Sequence, residues 1–372
     1  MRYREVKSVI VRHHMLNAHL MGIGGSHYVM LETAIAFAER GLETYIDSPF
    51  ITSRCELLRL AEFFGVNKKE LVGIGIGEPK TSELVVINTS GDVLSGAGDV
   101  MYLHYPFFLD YRTYYSPLHG VFDLFGKVYS LTNTIAFPVL ARKVKLYLAN
   151  SWFTAVFFKK YLRVNPIVIH PPVNLDNISN KEPLPYSERG KYVLTVSRIS
   201  PEKRPERAIY LAKLLKKHGI RVTVVGVLSS YNKPLYDALV ELALKERVDD
   251  YLDILVNISR EDLIELYRTA LAYIHVTPKE HFGISVVEAM AAGTPAIVPV
   301  DSGTWIDVAQ QNPLVARPYR SVKEAYCTIK DIAENQHLWN MLSLNGRARA
   351  LELDRKLFKE KVYEITKPLI CG

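Results

Sequence analysis

Short apolar runs alternate with helical stretches along almost the whole chain, and this alternation limits the possible folds more than any other feature. Each run has the length and the flanking turn residues of a buried strand. Strands that alternate with helices predict parallel sheets covered on both faces, and therefore a doubly wound α/β fold. The predicted strands cover 6–11, 44–47, 85–88, 100–104, 145–149 and 167–170, then 193–197, 221–225, 252–256, 271–276 and 295–299. The predicted helices cover 26–40, 205–217, 233–246 and 260–269, with one more after Phe282.

The length of the chain favours two domains, because 372 residues exceed what one hydrophobic core usually supports. The segment 175–190 is polar and contains prolines, as linkers often do. We therefore predict an N-terminal domain over 1–180 and a C-terminal domain over 190–354, facing each other across a cleft.

The charge of the chain permits an anionic partner without choosing one. The formal net charge is +7 and the sequence pI is about 9.0. Nucleic acid, acidic lipid and a phosphorylated small molecule all fit such a charge. The three cysteines form no metal-binding spacing, which favours a reducing compartment. The N-terminus has no signal-peptide pattern, so we expect a cytoplasmic location, with the cytoplasmic face of a membrane as a second option.

Two glutamates flank a glycine-containing turn between a predicted strand and a predicted helix. The sequence reads EHFGISVVE, with Glu280 and Glu288 at its ends. The turn is a helix N-terminus at the carboxyl end of a strand, where backbone N–H groups and the helix dipole favour a phosphate. Glu288 lies among apolar neighbours and needs a partner, which ribose hydroxyls or a buried ion pair could supply.

Two cations end a strand on the same predicted sheet edge. Arg198 closes the strand and Lys203 follows five residues later. Fixed cations beside a helix N-terminus can hold a diphosphate and neutralise the charge of a diphosphate leaving group. An Arg and a Lys on a solvated loop are the alternative, but the shared edge favours the site.

The predicted N-terminal domain offers a second set of candidates. Gly22, Gly24 and Gly25 form a loop between a strand and a helix, where a ligand can approach the backbone closely. His104 follows another strand and could bind a sugar hydroxyl or relay a proton. A simple turn and a histidine satisfied in the core are the alternatives.

Aromatic residues precede a group of cations in the middle of the N-terminal half. Such a segment suits a membrane interface or a lipid-bearing acceptor, and packed helices are the alternative. The aromatic residues are Phe107, Phe108, Tyr111, Tyr114, Tyr115, Phe122, Phe125, Tyr129 and Phe137, and the cations are Arg142, Lys143, Lys145, Lys159, Lys160 and Arg163.

The motifs EHFGISVVE, SRISPEK and GIGGS resemble those of the family-4 retaining glycosyltransferases of the GT-B fold. Within that family, YLHYPFF and IHPPVN look most like the α-1,2-mannosyltransferases that extend lipid-linked oligosaccharides from GDP-mannose. The resemblance implies two Rossmann-like domains, a nucleotide-diphosphate sugar donor, and a glycan or lipid-linked acceptor. It also implies that a last helix, at about 355–372, returns to the first domain.

The resemblance implies a role for each matching residue. Arg198 and Lys203 would hold the donor diphosphate, Glu280 the transferred sugar and Glu288 the ribose. The backbone amides of Phe282, Gly283, Ile284 and Ser285 would bind sugar and phosphate. His104 would lie near the sugar, and Gly24 and Gly25 near the phosphates. The chain departs from the mannosyltransferase pattern at Ser26-His27 and in the segment DSGTWIDV.

Metal-dependent sugar-nucleotide enzymes usually carry two aspartates one residue apart, and this chain has no Asp-x-Asp. We therefore expect no metal and no cofactor, with cations and amides stabilising the leaving diphosphate. The prediction is a retaining hexosyltransferase with no nucleic-acid partner. The alternatives are a nucleotide-sugar epimerase or glucan phosphorylase on the same fold, and a non-catalytic protein that binds RNA or acidic lipid.

Overall fold

The structure is a computed structural model that describes residues 8–14, 23–79, 83–91, 98–104 and 120–370. Contacts between the described residues divide the chain into two compact units. The first contains the described residues up to Asn174 and those from Asp354 onwards, and the second contains Leu175 to Leu353.

The first unit contains a seven-stranded parallel sheet in the order β3-β2-β1-β4-β5-β6-β7. The chain winds outwards from β1 to β3 and then crosses to β4 on the other side of β1, so its direction of winding reverses between β1 and β4. The strands are β1 Ser8–Arg12, β2 Glu43–Asp47, β3 Ile74–Ile76, β4 Leu84–Asn88, β5 Val100–Leu103, β6 Leu146–Ala149 and β7 Ile167–Val168.

Among the described residues, four α-helices accompany this sheet before the chain enters the second unit. The helix before β2 is buried on all sides, with Tyr28 to Phe37 buried without interruption, and this run includes the polar residues Glu32 and Thr33. The helices are α1 Gly25–Ala38, α2 Arg54–Phe63, α3 Gly120–Leu140 and α4 Trp152–Leu162.

The second unit contains a six-stranded parallel sheet in the order β10-β9-β8-β11-β12-β13. The winding reverses between β8 and β11, and doubly wound sheets bind ligands at the carboxyl ends of such a pair. The strands are β8 Gly190–Val196, β9 Arg221–Gly226, β10 Leu252–Val256, β11 Ala270–Ile274, β12 Ala296–Pro299 and β13 Arg317–Tyr319. The helices are α5 Asp176–Ser179, α6 Glu206–Leu215, α7 Lys233–Lys245, α8 Arg260–Thr269, α9 Ile284–Ala291, α10 Val322–Glu334 and α11 Gln336–Leu351.

The segment 175–190, predicted as a linker, is packed into the second unit, whose first described residue after the first sheet is Leu175. Ile178 in α5 is fully buried. Arg189 is also buried, and its guanidinium donates to the carbonyls of Ala292 and Gly293 and lies over the ring of Trp339. Buried contacts therefore use polar residues that the sequence pattern assigned to solvent.

The last helix, α12 Arg355–Ile370, belongs to the first unit. Phe358 and Val362 enter the apolar core of that unit. Arg355 donates to Glu32 and to Glu70, each at 2.9 Å, and the Glu32 side chain is fully buried. A buried carboxylate needs such a partner, so this ion pair holds the first residue of α12 against α1.

Candidate active site of the second unit

The loops after β8 and β11 carry the candidate cations and the first candidate glutamate. Because β8 and β11 pair directly, their carboxyl ends lie side by side at the point where the winding reverses. After β8 the chain reaches Arg198 and then a 3₁₀ turn, Pro201–Lys203. After β11 it reaches the turn that begins at Glu280 and leads into α9.

Lys203 and Glu280, 77 residues apart in sequence, form an ion pair in this site. The Lys203 Nζ atom lies 2.7 Å from Glu280 Oε2, and their side chains are only 19% and 11% exposed. His275 Nε2 lies 3.0 Å from the same oxygen, and the His281 N–H donates to Glu280 Oε1 at 3.1 Å. Three groups therefore hold one carboxylate.

These contacts keep Glu280 ionised. Burial by itself would raise the pKa of this carboxyl group. The Lys203 charge and the contact with His275 outweigh burial, and together they hold the pKa of Glu280 well below its usual value. At neutral pH the group is therefore a carboxylate, which can only accept hydrogen bonds.

Arg198 lies in the same loop as Lys203 and has its own acidic neighbour. Its Nη2 atom is 3.3 Å from Glu202 Oε1, and the Ser200 hydroxyl donates to the same oxygen at 2.6 Å. The Arg198 side chain is 21% exposed. The loop thus presents two partly exposed cations, each next to one carboxylate.

Two glycines allow the backbone at the start of α9 to close tightly. Gly283 caps the helix at φ +93°, a left-handed conformation that favours glycine. At Gly303, a Cβ atom would lie 1.8 Å from the His281 carbonyl oxygen, so only glycine fits there. The Gly303 N–H donates to the Glu280 carbonyl at 2.6 Å. The DSGTWIDV segment therefore supports the glutamate turn.

The first turn of α9 is also tied to the end of β8. The Ser285 hydroxyl donates to the carbonyl of Val196, the last residue of β8, at 3.2 Å and lies 2.8 Å from the Tyr273 hydroxyl. The N–H groups in the first turn of a helix have no acceptor within the helix. Those of Ile284 and Ser285 begin α9 beside the Lys203–Glu280 pair, which makes this turn suited to an anion.

Glu288 has protein partners for both carboxylate oxygens. Arg260 Nη2 lies 2.6 Å from Oε1, and the Tyr267 hydroxyl donates to Oε2 at 2.9 Å. The residue is 7% exposed. The structure therefore contains the ion pair that was the alternative to a ribose partner. A carboxylate has lone pairs for further donors, so the ribose role stays a prediction.

The first unit brings His104 next to two other histidines. His104 Nε2 donates to the Thr89 carbonyl at 3.0 Å, and His13 Nδ1 donates to the same oxygen at 3.1 Å. The His13 and His27 rings lie 5.0 Å apart. Burial lowers the pKa of His104 to about 4, so the ring is neutral at pH 7 and its Nδ1 atom is an acceptor.

Gly24 and Gly25 lie at the start of α1, as predicted from the sequence. Gly24 has an extended backbone, and its N–H donates to His27 Nδ1 at 3.3 Å. A Cβ on Gly24 would meet no atom within 4 Å, so packing does not require glycine at this position. Gly22 and the aromatic residues from Phe107 to Tyr115 lie outside the described residues, as do the side chains of Phe122, Phe125 and Tyr129.

Sequence reasoning missed His275, Arg260, Tyr267 and Glu202, the protein partners of the candidate residues. His275 lies in the predicted strand 271–276, whose apolar pattern indicates a buried strand and gives no sign that its histidine contacts a carboxylate. Arg260 is the first residue of the helix preceding β11 and is 28 positions from Glu288. One signal was available, since an ionised side chain among apolar neighbours requires a cation somewhere in the fold.

Comparison with known proteins identifies the second unit. Residues 176–349 match the model of the family described as glycosyl transferases group 1. The second unit is a group 1 glycosyltransferase domain. This range covers nearly all of the second unit, including Arg198, Lys203, Glu280 and Glu288.

Two curated relatives show where sequence similarity lies. A GDP-Man:Man(3)GlcNAc(2)-PP-Dol alpha-1,2-mannosyltransferase of Dictyostelium discoideum is 25% identical over 205 residues, which are 51% of this chain and 39% of that protein. A D-inositol 3-phosphate glycosyltransferase of Mycolicibacterium smegmatis is 34% identical over 150 residues, 38% of this chain and 34% of that protein. The matches thus span well under two thirds of either relative.

Solved structures match nearly the whole chain. Sucrose-phosphate synthase from Thermosynechococcus elongatus has a TM-score of 0.72 at 16% identity and covers 98% of this chain and 99% of its own. Anabaena HepE in complex with UDP has a TM-score of 0.73 at 16% identity and covers 97% of this chain and 100% of its own. The fold of two parallel-sheet, Rossmann-like domains, GT-B, is therefore confirmed.

Proposed function

We propose that the chain is a retaining glycosyltransferase that moves a hexose from a nucleotide-diphosphate sugar to a glycan or lipid-linked acceptor. The observation that carries this proposal is the Lys203–Glu280 ion pair, which joins the loop that carries Arg198 to the turn that leads into α9, in a segment that matches the group 1 family model. This arrangement combines cations, helix amides and a carboxylate, which are the groups that a sugar diphosphate requires.

The donor binds through partner exchange at the ion pair. Lys203 and Arg198 turn to the diphosphate, which also accepts hydrogen bonds from the N–H groups of Phe282 to Ser285. Glu280 then accepts hydrogen bonds from hydroxyls of the sugar, and Glu288 accepts from the ribose. The cations act most strongly when the bond to the sugar breaks, because negative charge then grows on the leaving phosphate.

The reaction proceeds on one face of the sugar and needs no nucleophile from the protein. The bond between the anomeric carbon and the phosphate oxygen breaks, and the acceptor oxygen bonds to the same face of that carbon. The acceptor proton passes to the leaving phosphate, and the pair of electrons from the broken bond stays on that phosphate. The role of His104 near the transferred sugar stays a prediction from the family resemblance, and its neutral ring with an acceptor nitrogen is compatible with that role. The expected absence of a metal and a cofactor stays part of this proposal.

The transferred sugar is mannose from GDP-mannose, and the acceptor is a lipid-linked glycan. Two relatives support this choice, the protein from Dictyostelium discoideum and one of the same printed name from Neurospora crassa that is 29% identical over 216 residues. The relative from Mycolicibacterium smegmatis favours a second candidate acceptor, an inositol phosphate. Both candidates use the same donor site.

Donor screening followed by transfer assays tests the proposal. We expect a GDP sugar to raise the melting temperature more than UDP or ADP sugars, since a ligand of the folded state stabilises it. Labelled sugar should then reach the acceptor with its anomeric configuration retained, at the same rate when EDTA is present. Lys203→Ala and Arg198→Ala should each reduce turnover by about 10²–10³. Lys213→Ala, a matched cation in an exposed ion pair, should leave turnover unchanged.

The rival functions predict different products. An epimerase would convert the nucleotide sugar without transferring it, and a phosphorylase would need inorganic phosphate and a glucan. A binding protein would retard RNA and leave every nucleotide sugar intact. Near-normal turnover in both the Lys203 and Arg198 variants would refute the roles assigned to these residues.

A further inference from the structure

Over its described side chains, helix α3 has two apolar faces, one buried and one exposed. Phe137 and Ala141, the latter just past the helix end, pack into a small cluster at the β5–β6 end of the first sheet. On the opposite side, four aliphatic residues one helical turn apart are exposed by 55–65%. At 100° per residue these four fall within a sector of about 80°, opposite the buried face. We call them the α3 stripe, which consists of Val128, Leu131, Ile135 and Val139.

An exposed aliphatic stripe is a different observation from single exposed apolar residues. Single residues are normal on a soluble surface, whereas a contiguous apolar patch marks an interaction site. Helix α4 also exposes apolar residues, because Trp152 and Val156, one turn apart, are 59% and 61% exposed. The two helices share one cluster through Phe137 and Phe158, whose rings lie 5.9 Å apart. The exposed residues therefore belong to one end of the first unit.

The net charge of the whole chain lies in the segment that forms these helices. The chain has 46 Lys and Arg against 39 Asp and Glu. Between 124 and 175 there are seven Lys and Arg and no Asp or Glu, which leaves 39 of each sign in the rest. All seven are exposed, and they are Lys127, Arg142, Lys143, Lys145, Lys159, Lys160 and Arg163.

The cations flank the stripe at both ends. Lys127 directly precedes Val128, and Arg142 and Lys143 lie in the turn that follows α3. A helix with an exposed aliphatic face and adjoining Lys and Arg residues has the pattern of elements that lie in a membrane interface. An acidic protein surface would complement the charge of the cations, but it would not complement the aliphatic stripe between them.

We propose that the α3 stripe and its flanking cations bind the surface of an anionic lipid membrane. The aliphatic side chains enter the boundary between headgroups and acyl chains, and the cations contact lipid phosphates. The contact is interfacial, since no helix among the described residues is long and apolar enough to cross a bilayer. The biological purpose of this membrane contact, which is to present a lipid-linked acceptor, rests on the proposed function. Membrane binding itself does not require catalysis.

Sedimentation of the full chain with vesicles tests this surface. We expect binding to vesicles of phosphatidylcholine with phosphatidylserine, and much weaker binding to phosphatidylcholine alone. Leu131→Ser with Ile135→Ser should weaken binding by about tenfold or more, and each of Arg142→Ser and Lys143→Ser by about fivefold. The matched control is Leu244→Ser with Leu344→Ser, which removes two leucines of the second unit that are 57% and 72% exposed.

Each outcome of this experiment supports the proposal or overturns it. Equal loss in the control pair, or no binding by the unaltered protein, would overturn it. A large fall in melting temperature for the stripe variant would do the same, because it would mean that the stripe is covered in the folded protein. Binding only to an acidic protein would assign the face to another partner.

The two proposals can fail separately. Lys203→Ala should reduce sugar transfer by about 10²–10³ and leave vesicle binding intact. The stripe variant should keep its transfer rate towards a water-soluble acceptor and lose rate only towards an acceptor held in vesicles. If transfer fails in the unaltered protein while vesicle binding persists, the enzymatic proposal falls and the membrane surface stands.

Discussion

Removal of Lys203 should destabilise the second unit in a way that depends on pH. At 2.7 Å, two unit charges attract by about 6 kcal/mol at an effective dielectric constant of 20. Desolvation offsets part of this, and loss of one partner from a buried pair costs about 3–5 kcal/mol. Because these side chains are 19% and 11% exposed and His275 remains, we expect Lys203→Met to cost about 2–4 kcal/mol at pH 7.

The pH dependence has a definite sign. In the unaltered protein the pKa of Glu280 is held below its unfolded value, so the carboxylate stabilises the fold above about pH 4.5, and this contribution is lost as pH falls through the folded pKa. In Lys203→Met burial is less opposed, and the pKa of Glu280 rises. The difference in stability between the two proteins should therefore be largest at neutral pH and should shrink as pH falls below about 4.5.

Tryptophan fluorescence can follow this unit separately. The chain has three tryptophans, and Trp305 and Trp339 lie in the second unit. In a Trp152→Phe background, urea unfolding monitored by fluorescence therefore reports that unit alone. As a control, Lys213→Met breaks a 2.6 Å pair whose lysine is 55% exposed and should cost at most about 1 kcal/mol. Equal costs for the two variants, or a Lys203 cost that does not change with pH, would refute the reasoning.

Three other predictions concern the supporting structure. Gly303→Ala places a Cβ 1.8 Å from a backbone oxygen and should lower the stability of the second unit by several kcal/mol, measured by the same unfolding assay; no change would contradict the close approach. Arg355→Met leaves Glu32 buried without its cation and should cost about 3–5 kcal/mol, with partial recovery in a double variant that adds Glu32→Gln; a double-mutant cycle without coupling would refute this. Burial lowers the pKa of His104 to about 4, so stability is intact above pH 6.5 and falls by about 3 kcal/mol towards pH 4, and His104→Gln should flatten that slope.

The alternation of apolar runs predicted the strands that are long and buried. The predicted strand 252–256 is β10, and 193–197 corresponds to β8, Gly190–Val196. Strands β3 and β13 were not predicted, since each has three residues and β13 contains Pro318. A run of three residues shows no period, and proline argues against a strand.

Within the site, sequence predicted positions on an edge but not the contacts between side chains. Lys203 and Glu280 were expected on the same edge because both follow strands of one parallel sheet. Their direct ion pair forms because β8 and β11 are neighbours in the sheet. The hydrophobic period of the sequence predicts strands but does not give their order in the sheet. The contacts of Arg260 with Glu288 likewise follow from how α8 packs against α9.

The pairing of each cation with a carboxylate changes how an anion can enter the site. Lys203 faces Glu280 at 2.7 Å and Arg198 faces Glu202 at 3.3 Å, so each charge is balanced by a neighbour before any phosphate arrives. A free phosphate must therefore compete with a carboxylate for each cation and gains little from charge alone. Under the proposed function, a sugar diphosphate would gain more, because its hydroxyls would offer Glu280 new donors when its phosphates bind Lys203. We therefore expect this exchange to link recognition of the sugar to recognition of the diphosphate, so that the ion pair would favour the complete donor over either of its parts.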